Sequence, residues 1–368
     1  MMTHRPQKPA PKRKSRPPAP EVRRFEANVV EGLETIARRE LSVHLDKRVT
    51  LHRLPKAGTA SGAFRFDYAG GLRALLRMKT VQAIYLVRFY TIPRPRALLG
   101  DQTFRSLLED IALVRAAHPP QAFQTFFISA AGENTAVMKR LRTAIAEATG
   151  LSEGFEEGDL LLRVRRPLDG REGWEVLLRI SPRPLATRSW RVCDMEGALN
   201  ATVAHAMVLM TDPRPYDIFL NIGCGSGTFL VERLLAGPAR RVLGCDINPE
   251  ALVCARENLT AAGYTQVAEL HDWDARQLPL EDASVDALCA DLPFGHLVGS
   301  HADNVTLYPA LLAETARVAR PGTLFALITH EVRLMQSLLS ASTVWRQVSE
   351  QRIALGGLNP RIFVLRRV

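Results

Sequence analysis

The pattern of apolar and polar residues divides the second half of the chain into short strands separated by helices. Apolar runs alternate there with stretches of helical periodicity, which is typical of strands joined by helices on both faces of a parallel sheet. The last two strands are linked by a glycine-containing turn, which predicts an antiparallel edge. Strands are predicted at residues 216–221, 241–244, 285–290, 324–329, 345–353 and 362–366.

The first half of the chain follows a different order of elements. Between residues 25 and 90, the periodicity predicts a strand, a helix, two strands, a helix and a strand, which is the order of a ferredoxin-like unit. Pro93 and Pro95 mark the exit from this unit. Residues 97–187 are predicted to form a helix, a strand, a helix and two strands joined by a tight turn. We therefore expect an α/β protein in which two α+β units precede a mostly parallel sheet.

A glycine-rich turn follows the first strand of the predicted parallel sheet. Gly223, Gly225 and Gly227 lead into Thr228, where a helix is predicted to begin. Glycines at such a turn let a ligand approach the backbone closely. The next strand ends at Asp246, and a carboxylate at that edge can accept hydrogen bonds from both hydroxyls of a ribose.

The third strand leads to a second acidic segment. Asp274 is expected to accept a hydrogen bond from an adenine amine, with Trp273 or Ala275 flanking the ring. The candidate cofactor-binding residues are therefore Asn221, Gly223, Gly225, Gly227, Thr228, Asp246, Ile247, Asp274, Ala275 and Asp291.

The apolar run 285–290 ends in a turn suited to holding an amine, formed by Asp291, Leu292, Pro293 and Phe294. Pro293 fixes its own φ and favours an extended Leu292, which directs the Leu292 carbonyl and the Asp291 carboxylate towards one point. Two acceptors can bind both N–H groups of an aromatic amine while the Phe294 ring stacks on the base. Although such a tetrapeptide is usually a simple turn, we take these four residues as the candidate catalytic group.

These features fall at the ends of successive strands, where ligands of open α/β sheets bind. Together they predict binding of S-adenosylmethionine and methylation of an exocyclic base amine. The competing interpretation is a dinucleotide oxidoreductase, because its fingerprint also has a glycine turn followed by an acid about twenty residues later. That class gives no role to Asp291, and we see no third glycine placed for helix packing.

The motifs resemble those of the THUMP-containing tRNA guanosine-N2 methyltransferases. The similarity extends through residues 291–318 after the turn and through the lead-in segment 184–199. It is strong in the second half of the chain and weak in the first. The family commonly has an acid at the position of Asn221, and often proline or leucine at the position of Leu292.

The resemblance implies a Rossmann-like class I methyltransferase domain preceded by ferredoxin-like and THUMP domains. It also implies S-adenosyl-L-methionine as cofactor and N2 of a guanosine at position 6 of the tRNA acceptor stem as substrate. The two front domains would grip the single-stranded 3′ end of the tRNA. The expected division is a disordered basic tail at 1–24, the ferredoxin-like domain at 25–96, the THUMP domain at 97–187 and the methyltransferase domain at 188–368.

Basic residues concentrate at the N-terminus. Residues 1–24 hold eight Lys or Arg and one acid, which is most of the formal net charge of +10. This proline-rich tail either adds phosphate contacts to a nucleic acid or is a solvated extension without a role. A second possible phosphate-binding face, although such residues usually only solvate a surface, comprises Lys139, Arg140, Arg142, Arg163, Arg165 and Arg166.

Cysteine usage and hydropathy bear on metal binding, disulfide bonds and membrane association. The five cysteines are odd in number and contain no C-x-x-C pair, so we expect no metal site and no disulfide framework. No apolar stretch reaches membrane-spanning length, and the N-terminus lacks a signal-peptide core. A monomeric, cytoplasmic protein without a membrane partner is expected.

Two other functions stay open. A different amino-methyltransferase would use the same turn on ribosomal RNA, DNA adenine or a protein glutamine, although the two front units argue against it. Asn221 suggests instead a non-catalytic RNA-binding protein that keeps the fold. Measurable cofactor binding would distinguish that protein from an enzyme.

Overall fold

The computed structural model describes residues 21–52, 62–132, 134–293 and 300–368. Two β-sheets divide these residues between them. The N-terminal sheet contains β1 (Arg23–Val29), β2 (Val49–Leu51), β3 (Ala63–Tyr68), β4 (Val81–Tyr90), β5 (Thr125–Ala130), β6 (Ser152–Glu153), β7 (Leu160–Arg165) and β8 (Trp174–Arg179). The helices of this part are α1 (Glu34–Leu45), α2 (Leu72–Leu75), α3 (Asp101–Ala116) and α4 (Ala136–Thr149).

The N-terminal strands run in the order β2-β3-β1-β4-β8-β7-β5-β6. The first four pair antiparallel, which is the ferredoxin-like arrangement that the element order predicts. β4 also pairs antiparallel with β8, so the two predicted front units share one sheet. The strands and all four helices contribute to one apolar core, which places the helices on a single face.

The possible phosphate-binding face is split by this arrangement. In β7, Leu160 and Leu162 point into the core beneath the helices, so Arg163 and Arg165 lie on the opposite face of the sheet. The basic residues of α4 belong to the helical side, because that helix buries Met138 and its apolar neighbours in the same core. The six basic residues therefore do not form one surface.

The C-terminal sheet contains β9 (Ile218–Ile222), β10 (Arg241–Cys245), β11 (Ala268–His271), β12 (Val285–Asp291), β13 (Ala319–Thr329), β14 (Trp345–Arg352) and β15 (Arg361–Arg367). Its helices are α5 (Ala201–Met210), α6 (Thr228–Leu235), α7 (Pro249–Ala261), α8 (His301–Val318) and α9 (Val332–Ser340). The strand order is β11-β10-β9-β12-β13-β15-β14. The pairs from β11 to β13 are parallel, whereas β15 is antiparallel to both of its neighbours, as the turn before it predicts.

Helices cover both faces of this sheet. One core combines apolar residues of α5, α6 and α7, among them Val203, Phe229 and Leu259, with one face of the strands. The other core combines α8 and α9 with the opposite face, including Leu311 and Met335. The doubly wound arrangement expected from the sequence is confirmed.

Several boundaries differ from the predictions. The apolar pattern predicts a helix over residues 198–210. α5 begins three residues later, at Ala201, because the Asn200 side chain accepts from the Thr202 N–H and caps the helix there. β13 begins earlier than predicted, at Ala319, and its register with β12 is irregular near that end. The short β6 was not predicted. The periodicity predicts a strand at residues 49–54, and β2 occupies its first three residues, whereas residues 53 and 54 lie outside the described residues.

A buried group of charges joins the two sheets. The guanidinium of Arg188 donates to Glu232 at 2.7 Å and to the Lys79 carbonyl at 2.7 Å. His205 Nδ1 lies 2.8 Å from Glu232 Oε2, and Glu40 of α1 accepts from the Lys79 N–H at 2.7 Å. Burial alone would raise the pKa of Glu232, but His205 and Arg188 hold it below its usual value. This network fixes the N-terminal sheet against α5 and α6.

One disulfide bond contradicts the expectation from cysteine spacing. Cys193, in the lead-in segment, is bonded to Cys254 of α7 with a Cα–Cα distance of 5.4 Å. The two cysteines are 61 residues apart, so no spacing motif relates them. None of the described helices is long and apolar enough to cross a membrane. The described residues contain no cluster of three or more His, Cys, Asp or Glu arranged to hold a metal.

Candidate functional site

The strand register aligns the predicted site along one edge of the C-terminal sheet. Ile222 of β9 pairs with Cys245 of β10 and Ala290 of β12, and Cys245 pairs with His271 of β11. The residues that follow this row are Gly223, Asp246, Asp272 and Asp291. The strand order reverses between β9 and β12, so the glycine turn and the Asp291 turn flank the topological switch point. Asp246 and Asp291 are two strands apart, or about 10 Å.

All three glycines of the turn adopt left-handed backbone conformations. The φ angles of Gly223, Gly225 and Gly227 are 57°, 51° and 78°. A Cβ on Gly223 or Gly225 would meet no atom of the described residues within 4 Å, which leaves space above the turn in this part of the structure. A Cβ on Gly227 would lie 3.1 Å from the Ala255 Cβ of α7. Gly227 is therefore the helix-packing glycine that the sequence interpretation had missed.

Asp246 is tied to the glycine turn. Its Oδ2 accepts from the Gly225 N–H at 2.8 Å, and its Oδ1 accepts from the Asn248 N–H at 2.9 Å. Each oxygen keeps acceptor capacity beyond these bonds. The half-buried carboxylate is thus held beside the turn, and the next side chain, Ile247, is 68% exposed.

Asp274 already has a partner that sequence reasoning did not foresee. Arg276 donates to both of its oxygens, at 2.7 to 3.1 Å, and lowers the pKa of the Asp274 carboxyl. Trp273 stacks on His271 with ring centroids 3.8 Å apart, and Ala275 lies half-buried next to Asp274. The stacked rings of His271 and Trp273 and the Asp274 carboxylate thus lie together at the end of β11.

The Asp291 turn contains an unpaired acceptor. Asp291 Oδ1 is buried and has no hydrogen-bond partner among the described residues, and burial raises the pKa of this carboxyl to about 7. The buried Leu292 donates its N–H to the Ile328 carbonyl at 3.1 Å. The Pro293 carbonyl accepts from Asn304 Nδ2 at 3.0 Å and from the Tyr308 hydroxyl at 2.7 Å. Phe294 lies outside the described residues.

Asn221 and Thr228 take up positions behind the glycine turn. The fully buried Asn221 donates from Nδ2 to the Ile222 and Cys289 carbonyls, at 3.3 and 3.2 Å. Its buried Oδ1 has no partner in the part of the chain that the structure describes. The Thr228 hydroxyl accepts from Arg191 at 3.0 Å. Arg191 therefore anchors the lead-in segment to the start of α6.

Sequence reasoning missed the residues that support the site from other elements. Asn304 and Tyr308 lie on α8, eleven and fifteen positions after the carbonyl they bind. Arg276 stands two positions from Asp274, a spacing that would have signalled an ion pair in a tight turn. Trp190 of the lead-in segment is buried in the core that α5, α6 and α7 form with the sheet.

The family comparison covers this half of the chain. Residues 188–361 match the model of UPF0020, the RMKL-like methyltransferase domain family. This match spans slightly less than half of the chain, and it shows what this part of the chain is similar to. The matched segment contains the glycine turn, Asp246, Asp274 and the Asp291 turn, together with the lead-in arginines 188 and 191.

Curated relatives and solved structures extend the comparison to the rest of the chain. A tRNA (guanine(6)-N(2))-methyltransferase, THUMP3 of Mus musculus, is 34% identical over 182 residues, which are 46% of this chain and 36% of that protein. The chain thus matches about a third of that relative's length. A tRNA (guanine(6)-N2)-methyltransferase of Thermus thermophilus is 28% identical over 360 residues, covering 94% of this chain and 99% of the relative.

The fold is that of a known methyltransferase structure. TrmN from Thermus thermophilus superimposes with a TM-score of 0.72 at 24% sequence identity, over 95% of this chain and 100% of that one. The superposition includes the N-terminal sheet as well as the methyltransferase domain. The expected combination of an α+β front and a Rossmann-like methyltransferase fold is therefore confirmed.

Proposed function

We propose that this protein is an S-adenosylmethionine-dependent methyltransferase that modifies N2 of a guanosine in tRNA. The observation that carries the proposal is the row of strand ends at the switch point. It brings an open glycine turn and Asp246 to one side of an unpaired, buried acceptor on Asp291. A cofactor site and an amine-binding site would then share one sheet edge.

The residues present fit the cofactor. Gly223 and Gly225 leave open space above the turn, as a ligand that approaches the backbone requires. Asp246 would accept from the ribose hydroxyls, and the exposed Ile247 would pack against the adenine. Asp274 would accept from the adenine amine and Ala275 would line the ring, with Arg276 holding the Asp274 carboxylate in place. Thr228 and the buried Asn221 would support the turn from behind.

The Asp291 turn would prepare the acceptor amine. S-adenosylmethionine, when bound, supplies an electrophilic methyl group on sulfur. Asp291 and the Leu292 carbonyl would each accept one N–H of the amine, which leaves the nitrogen lone pair free to form the new N–C bond as the S–C bond breaks. Pro293, held by Asn304 and Tyr308, would fix the turn. The methylated nitrogen then loses one proton, which the Asp291 carboxylate can accept.

The substrate class is supported by the relatives. Two of them carry names that specify guanine 6 of tRNA, and one of these matches nearly the whole chain. We propose a basic tail that ends before β1, a ferredoxin-like unit up to residue 96, a THUMP unit at 97–187 that shares its sheet, and a methyltransferase domain at 188–368. The two front domains would hold the 3′ end of tRNA while the target guanosine in the acceptor stem is flipped into the site. A cytoplasmic monomer would suffice for this reaction.

The decisive experiment is methyl transfer to unmodified total tRNA. The full chain is incubated with labelled S-adenosylmethionine, and the nucleosides are identified by mass spectrometry. Label in N2-methylguanosine supports the proposal, and Asp291→Asn serves as the inactive control. Label in another nucleoside would favour the other amino-methyltransferases. Cofactor binding without transfer to any RNA would favour a non-catalytic RNA-binding protein.

A further inference from the structure

The disulfide between Cys193 and Cys254 lies next to a buried amide that also holds the glycine turn. Asn258, one helical turn after Cys254 on α7, is fully buried. Its Oδ1 accepts from the N–H groups of Val192 and Cys193, at 2.9 and 3.0 Å. Its Nδ2 donates to the Cys193 carbonyl and to the Ser226 carbonyl, both at 2.9 Å. Because Ser226 stands in the middle of the glycine turn, one side chain connects the turn to the backbone of the disulfide.

The shape of the glycine turn depends on the elements that pack against it, because its three glycines leave many backbone conformations accessible. α7 contacts the turn at Gly227, where a Cβ would lie 3.1 Å from the Ala255 Cβ. The lead-in segment contacts it through Arg191, which donates to the Thr228 hydroxyl at 3.0 Å. The lead-in segment and α7 therefore hold the turn from behind, and the disulfide bonds one of these supports to the other.

The lead-in segment is the weaker of the two supports. All of its residues are described, and it contains neither helix nor strand. A segment without regular structure opens locally more easily than a packed helix does. The disulfide prevents this opening, because Cys193 cannot leave α7 while the bond is intact. After reduction, the backbone of Cys193 is held to α7 by its hydrogen bonds with Asn258.

Reduction of this bond begins at Cys193, which is half-buried, whereas Cys254 is buried. A thiolate of a dithiol reductant attacks Cys193 Sγ, forms a new S–S bond with it and displaces Cys254 as a thiolate, which takes up a proton. The second thiol of the reductant then attacks this mixed disulfide and releases Cys193 as a thiol. Two electrons and two protons pass from the dithiol to the protein, and the dithiol becomes a disulfide.

The other three cysteines stay reduced in the structure. Cys224, Cys245 and Cys289 are free thiols, and all three are buried. Burial raises the pKa of the Cys224 thiol and raises that of the Cys245 thiol to about 12. Because thiol–disulfide exchange requires a thiolate, these side chains react slowly. Exchange at this protein is therefore directed to the Cys193–Cys254 pair.

We propose that the Cys193–Cys254 pair is a redox-sensitive site that sets the affinity for S-adenosylmethionine, with the oxidised form binding more tightly. A ligand that binds only one conformation of the turn loses affinity in proportion to the fraction of molecules that leave it. Disulfides in reducing compartments are usually transient and redox-sensing, which agrees with a cytoplasmic enzyme. The inference rests on the proposed function in that the cofactor binds at the glycine turn.

Titration calorimetry with S-adenosylmethionine tests the proposal on the full chain. The protein is measured after treatment with oxidised dithiothreitol and after treatment with reduced dithiothreitol. Mass spectrometry of the denatured, alkylated protein verifies the two forms, with three and five modified cysteines. Reduction should weaken binding about threefold or more, since the turn is then held less firmly. Cys193→Ala combined with Cys254→Ala should bind like the reduced wild type under both conditions.

Two further variants separate the proposed route from a general loss of stability. Asn258→Ser keeps the disulfide but is too short to reach both backbones, so its oxidised form should bind as weakly as the reduced wild type. Met138→Ala leaves a cavity in the core of the N-terminal sheet, far in sequence from both cysteines. It should melt at a lower temperature and keep the full difference between oxidised and reduced protein. Circular dichroism verifies that each variant folds.

Equal affinity of the folded oxidised and reduced wild type would overturn the proposal. A lower melting temperature of the reduced form would then show that the bond only stabilises the fold. An undiminished redox response in the double cysteine variant would also overturn it, because another group would be responsible.

Amide hydrogen exchange without cofactor separates this inference from the proposed function. Reduction should accelerate exchange in the lead-in segment and the glycine turn by about threefold or more and leave α8 unchanged. Unchanged exchange and unchanged affinity in an active enzyme would reject the redox site and leave the methyltransferase proposal standing. Faster exchange in a protein that does not bind S-adenosylmethionine in either form would keep the link between the bond and the turn. It would reject the cofactor as the ligand, and the proposed function with it.

Discussion

Burial of Asp291 opposes the charge that its proposed role requires. The carboxyl has a pKa of about 7 in the folded protein because it is desolvated, against an ordinary value near 4. Between these pH values the folded state holds a proton that the unfolded state has released. The free energy of unfolding therefore decreases as the pH rises from about 4 to about 7. Above that range the folded protein keeps a buried carboxylate, one oxygen of which has no partner among the described residues.

Asp291→Asn should stabilise the protein at alkaline pH and abolish methyl transfer. The advantage in unfolding free energy should be small at pH 5 and grow to roughly 2–4 kcal/mol at pH 8, because the asparagine does not titrate. Urea unfolding of the wild type and the variant at both pH values measures this difference in unfolding free energy. The kcat/KM of the wild type should rise with pH through about 7. A stability difference that does not change with pH would contradict the burial of this charge.

Asp246→Asn should reduce S-adenosylmethionine affinity by roughly 2–4 kcal/mol, since two hydrogen bonds to a charged acceptor are weakened. Asp272→Asn is the matched control, because Asp272 follows the same register row one strand further along. It should bind cofactor as the wild type does. Titration calorimetry measures the S-adenosylmethionine affinity of both variants. Similar losses of affinity in the two would mean that overall charge, and not ribose recognition, governs binding.

The acids at the strand ends were predictable from the sequence, because an aspartate that directly follows an apolar strand can be recognised from a few neighbouring residues. Asp246 and Asp291 follow apolar strands, and the parallel register brings them to one edge. The partners of these residues were not predictable. Tyr308 reaches the Pro293 carbonyl from a helix whose packing depends on the whole sheet. Cys193 and Cys254 meet only because the lead-in segment folds back over α7.

At the level of elements, two glycines of the glycine turn are required for different reasons: Gly223 leaves space for the proposed ligand, whereas Gly227 leaves space for α7. Gly223→Ala would place a methyl group in open space, so it should cost about 1–2 kcal/mol of stability through its positive φ alone. It should nevertheless weaken cofactor binding at least tenfold, because that space is the proposed site. Gly227→Ala should destabilise the fold more, since its Cβ also collides with α7. Thermal melts and calorimetry on both variants test this order.

The disulfide between the lead-in segment and α7 should stabilise the protein by about 4 kcal/mol, given the 61-residue separation that it closes. Oxidised protein should therefore melt at a higher temperature than protein treated with dithiothreitol. The melting temperature of Cys193→Ser should equal that of the reduced wild type. It should also be the same with and without dithiothreitol. Equal melting temperatures of the oxidised and reduced wild type would show that the bond does not form in solution.

At the level of the whole molecule, the buried charges around Arg188 and Glu232 connect the N-terminal sheet, the proposed anchor for the tRNA 3′ end, to the methyltransferase domain. Trimming the terminal CCA from tRNA should then reduce the initial rate of methyl transfer at least tenfold, because the anchor for the acceptor stem is lost. A transcript with an altered anticodon loop is the control and should react normally. Equal rates on intact and trimmed transcripts would reject the anchoring of the 3′ end.

The order of elements in the front half was predictable, because each strand and helix has its own periodicity. The joining of the two front units was not. β4 and β8 are distant in sequence, and both carry apolar residues on each face, so no local pattern assigns them as neighbours. Pairing of this kind depends on which strand edges remain available after each unit has folded.

The pairing of β4 with β8 also determines which parts of the gene are exchangeable. Separation between residues 96 and 97 would expose the edge of β4 at residues 85–90 and the matching edge of β8, six residues each. Such free edges promote pairing between molecules and aggregation. Recombination at that point would thus yield two insoluble halves. Residues 21–187 are expected to be inherited, lost or transplanted onto another catalytic domain only as a single cassette.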